Sequence, residues 1–539
     1  MAATETSSAH YQDCAWNLDA FGENLKDRRW RLSHLYWIVD QDGSRVQFIP
    51  NRAQLDLLSQ LHWRNVILKA RQLGFTTLID LFGLDLCLFN SNVTAGIIAH
   101  RMEDVRNIFR KKVKYPYENL PGALLARIPA IKCDSNELLL KNNSNLRVGI
   151  SMRSDTIQFL HVSEHGKLCA RYPLKAEELA TGTFPACHDK AIVFVESTAE
   201  GPVGDFARLC KRSEQVTASA RQTGRRLGNR EFRFHFFPWF RKPSNTLPDD
   251  EAKLVEISDK DHAYFDSVEA RMTTRLRLGQ RAWYVFTRDG TNGLGTKMTQ
   301  EHPSTPEEAF RAAIEGSYYG EQMGVARSEG RIGHVAYDPA IPVYTFWDLG
   351  MRDSMTIWFA QFVGREVHLI DYYENSGQGL KHYIKVLRDR PYVYAEDGHW
   401  APQDIKVREL GSGVSRWETA RELGIEFRVG QEHNLQDGID AVRNVIPFCW
   451  FDATKCQRGI ECLEAYRTAW NDKLERFDDK PLHDWSSHGA DAFRYLSVAY
   501  RFDRIVGRFL ADPLKGLESP DGPVDDDYDP LELGLRRTV

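Results

Sequence analysis

No two cysteines in the chain are spaced as CxxC, and the nine that occur, from Cys14 to Cys462, are scattered and odd in number. A disulfide framework and a structural zinc site are both disfavoured by that pattern, and a reducing compartment is the expectation. No uninterrupted apolar run is long enough to span a bilayer, and no basic start followed by an apolar segment stands at the N-terminus. Neither a membrane span nor a signal peptide is therefore expected. An excess of charge of one sign is lacking too: 70 Lys and Arg face 75 Asp and Glu, a formal net charge of -5. That balance excludes a protein coated in positive charge but not a local basic groove, which is what attracts phosphates.

What the chain has is length and alternation. Its 539 residues and 61.9 kDa exceed the size at which one core keeps growing, so two large domains with smaller appendages are expected. Residues 1-45 read as a polar N-terminal extension, and a compact pattern begins near Val46. Val66-Ile67-Leu68 predicts a buried strand, Arg71 to Gly74 a turn and 76-89 a helix. Further strands are predicted at 94-98, 138-140, 146-150, 157-162 and 191-195, with a helix at 103-114 among them. Strands separated by helix-length segments predict an α/β fold with a mostly parallel sheet. The basic stretch 211-230, carrying Lys211, Arg212, Arg221, Arg225, Arg226 and Arg230, reads as a solvated surface loop, with a DNA-facing loop as the alternative. A linker falls at 321-340, ahead of a second strand-rich half at 341-508. Residues 509-539, with Asp521, Asp525, Asp526, Asp527 and Asp529, read as a flexible acidic tail.

Lys69-Ala70-Arg71-Gln72-Leu73-Gly74-Phe75-Thr76-Thr77 stands between a strand and a helix, where free backbone N–H groups can hold phosphate oxygens. An ordinary phosphate loop follows its last glycine with lysine and then a Ser or Thr on magnesium. Here Phe75 stands in the lysine's place and Thr76 keeps the hydroxyl, so Lys69 or Arg71 must supply the cation from the other side of the loop. The strand from Ile157 to Val162 runs into Ser163-Glu164, where such ATPases usually carry an acid pair. Glu164 would polarise water there, and Ser163 can at most hold a magnesium-bound water. A third strand ends in Glu196-Ser197-Thr198-Ala199, whose hydroxyls lie where a sheet could sense a γ-phosphate. Taken singly, these are a strand-turn-helix junction, a strand-end surface acid and a capped loop.

In the second half, Pro342 to Gly350 puts Asp348 at the end of an aromatic strand, and 354-362 with 366-373 predict a hairpin. A fourth strand at 392-395 runs into Glu396, Asp397, His399 and Asp404. A helix beginning near Ser486 or Ser487 sets His488 and Asp491 three apart on one face, with Ala492, Phe493, Leu496 and Ala499 able to dock on the sheet. Carboxylates from separate elements offer the oxygen ligands that hard divalent ions want, and two such ions can flank a phosphodiester. Taken alone, Asp491 is equally a helix-surface acid.

Together, Lys-Ala-Arg-Gln-Leu-Gly-Phe-Thr-Thr at 69-77, His-Val-Ser-Glu at 161-164, Ser-Thr-Ala at 197-199, Thr-Pro-Glu-Glu-Ala-Phe at 305-310 and Ser-His-Gly-Ala-Asp-Ala at 487-492 resemble the large terminase subunit of tailed bacteriophages, in order and spacing, over roughly residues 46-500. The resemblance implies an α/β chain with an N-terminal P-loop ASCE-type ATPase domain at 46-320 and a C-terminal ribonuclease H-like nuclease domain. It implies that Gln54 contacts adenine, and that Lys69, Arg71, Gly74, Thr76 and Thr77 form the phosphate site with Thr76 on magnesium. It further implies that Glu164 is the catalytic glutamate and that Ser197, Thr198 and Ala199 couple hydrolysis to movement. For the nuclease it implies Asp348, Asp491 and an acid from 396-404 as catalytic metal ligands. Asp404 is preferred and Glu396 and Asp397 stay open, because relatives commonly carry Pro-His-Asp where this chain has Pro402-Gln403-Asp404. The implied cofactors are ATP and Mg2+, with Mn2+ as an alternative at the nuclease site. The implied partners are double-stranded DNA, the small terminase subunit and the portal protein of the procapsid, on which a homo-oligomeric ring assembles in the cytoplasm of an infected bacterium, without a membrane. A helicase-nuclease of repair or restriction and a catalytically inactive capsid-assembly protein are the competing readings. The first needs a second set of helicase motifs, which residues 200-340 do not offer.

Overall fold

Runs of β-branched and aromatic residues bounded by turns form strands when both faces can be covered, and the computed structural model arranges them in two large sheets and two smaller hairpins. It describes residues 22-152, 156-311, 314-350, 354-408, 414-430, 432-471, 474 and 476-502, so the acidic tail expected at 509-539 lies outside the described residues. The chain forms two compact units, Met1–Arg331 with Gln457–Ala490, and Ile332–Cys456 with Asp491–Val539.

In the first unit, β1 (Trp37–Val39) and β2 (Arg45–Gln47) pair as a hairpin. They are followed by β3 (Arg64–Lys69), β4 (Thr94–Ile98), β5 (Ala130–Cys133), β6 (Glu137–Leu140), β7 (Asn145–Gly149), β8 (Ile157–Ser163), β9 (Cys187–Ser197) and β10 (Phe232–Phe237). The strands from β3 onward form one sheet in the order β10-β3-β9-β8-β4-β7-β6-β5. Neighbours from β10 to β7 run parallel, and β7-β6-β5 is an antiparallel edge. Burial on both faces is why Val66, Ile67 and Leu68 form an unbroken apolar run. Ile67 packs with Leu78, Ile79 and Phe82 of the helix Phe75–Phe89, while Val66 and Leu68 pack with Val162, Val195 and Phe206. β9 intervenes between β3, which leads into the loop, and β8, which leads to Glu164. This additional strand between them agrees with the fold expected from the sequence.

Three boundaries differ from expectation. Residues 22-45 of the supposed N-terminal extension fold in: Asp27 caps the helix Arg28–His34, and Arg31 meets the buried Asp85 carboxylate at 2.7 Å while the Tyr36 hydroxyl donates to it at 2.9 Å. A buried carboxylate requires such partners, and Leu32, Leu35 and Tyr36 join the core beside it. Most of the basic stretch expected as a loop is the helix Asp205–Thr223, which ends at Gly224. The expected linker contains the helix Gly320–Ser328, and the second unit begins at Ile332. Residues 457-490 also depart from a continuous second domain, because they pack in the first unit. Arg467 Nε donates to the Ala170 carbonyl at 2.8 Å, Tyr318 N donates to Tyr466 O at 2.9 Å, and the Arg171 guanidinium lies 4.4 Å from the Trp470 ring centre.

The second unit carries β11 (Ile332–Gly333), β12 (Val343–Asp348), β13 (Ser354–Val363), β14 (Glu366–Ser376), β15 (Tyr394–Ala401), β16 (Phe427–Val429) and β17 (Cys449–Asp452). They are ordered β11-β17-β14-β13-β12-β15-β16. β12-β13-β14 is an antiparallel meander, and β15 and β16 add in parallel beside β12, the sheet order of a ribonuclease H-like fold. From the helix Ser487–Phe502, Phe493 packs on Trp358 and Phe451, and Ala492, Leu496 and Ala499 are buried with it. Among the described residues no helix is long and apolar enough to cross a membrane.

Candidate functional site

Ligands of open parallel sheets gather at the carboxyl ends of the strands, and β3, β8 and β9 each end there in a charged or hydroxyl side chain. After Lys69 the backbone turns through Gln72 and Gly74, at φ 60° and 79°, into the helix Phe75–Phe89. Gly74 is required for its conformation and for space, since a Cβ would lie 2.9 Å from Gln54 Nε2. Asn51 Nδ2 donates to Leu73 O at 3.1 Å and Gln54 Nε2 to Gly74 O at 2.7 Å. Gln54 Oε1 accepts from Asn51 N, so the structure places Gln54 as a brace of the loop. Arg71 is half-exposed and lies 3.6 Å from Glu301, while Thr76 and Thr77 are half-buried on the first helical turn.

Lys69 is buried, with Nζ 3.2 Å from Glu164 Oε1 and 3.0 Å from Glu196 Oε2. Burial opposes its charge, but the two carboxylates more than restore it, so the ammonium titrates above its ordinary value. Burial likewise works against the Glu164 carboxylate, and Lys69, aided by Lys167 at 3.1 Å, outweighs it; the carboxyl is held below its ordinary value. Glu164 sits at φ 54°, a left-handed conformation that costs a non-glycine residue about 1 kcal/mol. The next helix, His165–Arg171, starts against the end of β9: a Cβ on Gly166 would lie 2.7 Å from Thr198 O and 2.9 Å from Ser197 Oγ. Ser197, Thr198 and Ala199 are buried, and neither hydroxyl has a hydrogen-bond partner among the described residues.

Glu196 is the residue that reading the sequence did not single out. Its fully buried Oε1 accepts from Thr76 Oγ1 at 2.7 Å and from Ser163 Oγ at 3.0 Å. His161 Nε2 stands 3.5 Å from the same oxygen, and its Nδ1 lies 2.7 Å from Asp80. The available signal was the missing acid at Ser163, which directs attention to the neighbouring strand. Thr76, Ser163 and Glu196 offer oxygen atoms only, a donor set that fits magnesium.

In the second unit, β12 and β15 run parallel with Thr345 opposite His399 and Phe346 opposite Trp400. Asp348 at the end of β12 and Asp404, in the turn Gln403–Lys406 after β15, therefore lie toward the same sheet edge. Burial raises the Asp404 carboxyl, against the Arg416 guanidinium and reinforced by the charge of Asp348. Burial also raises the Tyr495 hydroxyl to about 12, against Arg494, with Asp348 and Asp491 both adding their charge. Asp491 meets Arg494 at 2.8 Å. Asp348 thus acts on both Asp404 and Tyr495, and Asp491 on Tyr495. Carboxylate oxygens are what hard divalent ions want, whereas the group of potential ligand atoms lying within 4.8 Å of one another among the described residues is His165, Cys169 and Asp205.

Glu396 and Asp397 lie at the other end of their strand from Asp404. The strand expected to stop at 395 instead runs Tyr394–Ala401, with both acids near its start, and Ala401 stands four positions beyond Asp397, roughly 13 Å of chain. Asp397 pairs with Arg428 of β16 instead. His399 is likewise a core residue: its Nδ1 lies 2.7 Å from Thr345 Oγ1, and burial lowers it to about 4.

The sequence matches no protein-family profile and no curated protein. Among solved structures, the large terminase of a thermophilic bacteriophage in complex with ATP-gamma-S is similar at 14% identity, over 84% of this chain and 99% of that one, with a TM-score of 0.28. The HK97 bacteriophage large terminase is similar at 13% identity, over 87% and 98%, with a TM-score of 0.38. The nuclease domain of the bacteriophage SPP1 large terminase with bound Mn is similar at 15% identity, over 30% and 86%, with a TM-score of 0.23.

Proposed function

We propose that this chain is the ATPase and nuclease subunit of a viral DNA-packaging motor, of the large terminase type. The observation that carries the reading is the contact of Lys69 with Glu164 and of Thr76 with Glu196 beside a braced loop in one unit. Asp348, Asp404 and Asp491, whose charges act on common neighbours in the other unit, support it as the proposed second site. The order and spacing of the terminase-like motifs support the same reading.

In this reading Lys69 exchanges its carboxylate partners for phosphate oxygens, a change its flexible stem allows. Backbone N–H groups at the start of the helix Phe75–Phe89 hold further oxygens. Glu164, released from Lys69, orients the attacking water and accepts its proton. The close contact of Gly166 with Ser197 and Thr198 carries a movement of Glu164's helix to the end of β9. In the second unit Asp348, Asp404 and Asp491 hold the divalent ions. When bound, magnesium or manganese supplies positive charge beside the reacting phosphate at either site. The work performed is movement of double-stranded DNA into a procapsid by a ring seated on the portal, with the small terminase subunit as partner, and cleavage of concatemers.

Glu164→Gln is expected to lower ATP turnover roughly 10²- to 10⁴-fold while ATP still binds, and Asp348→Asn to abolish metal-dependent cleavage of plasmid DNA while ATP turnover persists. Unchanged turnover in the first variant, or undiminished cleavage in the second, refutes the assignment of that site.

A further inference from the structure

In nucleotide-hydrolysing sheets of this kind, an acid at the end of a nearby strand joins the loop hydroxyl in holding magnesium. This chain has Ser163 where that acid is expected, and a hydroxyl cannot balance the charge of a divalent ion. Register supplies the replacement. β8 and β9 are parallel with Ser163 opposite Glu196, and β9 in turn pairs with β3, whose Ile67 stands opposite Glu196. The Glu196 carboxylate is thereby carried one strand closer to the loop than an acid at position 163 would be.

The contacts match that displacement. Thr76 Oγ1 and Glu196 Oε1 are 2.7 Å apart, and adjacent oxygens around an octahedral magnesium with bonds of about 2.0-2.1 Å lie roughly 2.9 Å from each other. Ser163 Oγ donates to the same Oε1 at 3.0 Å, which fixes the carboxylate against the loop hydroxyl. Burying an ionised carboxylate costs several kcal/mol unless it is paired, and Lys69 already has Glu164 at 3.2 Å, so a second buried acid at 3.0 Å is not needed to neutralise it. When Lys69 turns to phosphate, the Glu196 carboxylate still faces Thr76, with His161 Nε2 at 3.5 Å as its remaining cationic neighbour. Resting on the ATPase reading of this site, we propose that Glu196 is the metal-holding carboxylate of the nucleotide site, moved from β8 to β9, with Ser163 as the positioning residue that aims it.

The test is binding of a fluorescent, slowly hydrolysed ATP analogue to the full chain, titrated with magnesium chloride. Wild-type protein should bind the analogue more tightly as magnesium rises. Glu196→Gln should weaken the magnesium response roughly ten- to a hundredfold, and Glu164→Gln should keep that response while losing turnover. Ser163→Asp placed in the Glu196→Gln background should return it. Glu196→Asp guards against a folding defect, since it keeps the charge facing Lys69 and His161 but withdraws the carboxylate by one methylene; it too should need more magnesium, with magnesium-free binding unchanged. A wild-type magnesium response in Glu196→Asp or folded Glu196→Gln overturns the inference, as does an equal loss of binding with and without magnesium. Wild-type protein that binds no nucleotide at any magnesium concentration removes the ATPase reading itself, and this inference with it.

Discussion

Glu200 lies just beyond the buried turn at Ser197 to Ala199, and burial pushes its carboxyl up to about 7, with Glu301, Glu164 and Glu315 reinforcing the shift and Lys167 opposing it. A carboxyl whose folded value exceeds its ordinary 4.5 favours the folded state when protonated. Its contribution is therefore full below pH 4.5 and is lost as pH rises through about 7. Glu200→Gln keeps an acceptor for Gln300 Nε2, now at 3.0 Å, and cannot ionise. Wild-type protein should lose up to ~3 kcal/mol relative to the variant across that window. Urea midpoints of both proteins between pH 4.5 and pH 8 measure it, and parallel curves would contradict the assignment.

At the scale of elements, the helix His165–Arg171 starts in close contact with the end of β9. Gly166→Ala would press a methyl against Thr198 O and Ser197 Oγ, at 2.7 and 2.9 Å before relaxation. Overpacking of this kind costs about 1-3 kcal/mol. Because the displaced pieces are the start of Glu164's helix and the 197-199 turn, ATP turnover should fall more than nucleotide affinity. Turnover and affinity measured together on the folded variant decide the point, and wild-type turnover would refute it. The same scale explains what could be read in advance. β3, β4, β8 and the β12-β13-β14 meander were legible because their apolar runs and alternation are local. β15 was truncated because Glu396 and Asp397 look like a strand end, whereas pairing with both β12 and β16 carries the strand through them. The helix Asp205–Thr223 was hidden by its charge, although Phe206, Cys210, Ser213, Thr217 and Ala220 recur on one buried face. Glu196 gained its meaning only from the register that sets it opposite Ser163, a relation no local window contains.

At the scale of the whole molecule, the chain path decides what a fragment can do. A cut suggested by the expected linker would separate Met1–Arg331 from Gln457–Ala490, yet these segments form one compact unit. Val203 and Ile314 share a cluster with Ala465, against which Trp485 packs. Arg467, 4% exposed, donates to Ala170 O and to Ala465 O, and Arg327 meets the buried Glu464 at 2.6 Å. Removing 457-490 would expose Val203 and Ile314 and take the Arg467 donor from the Ala170 carbonyl, so the unit would lose apolar burial. A fragment of residues 1-331 should therefore melt several degrees below the same fragment joined to 457-490 through a short flexible linker, and it should aggregate more readily. Differential scanning calorimetry of the two fragments provides the comparison. Equal melting temperatures would mean that the returning segment adds nothing to the unit's stability, and only then would a truncation at the expected linker be a fair representation of the first unit.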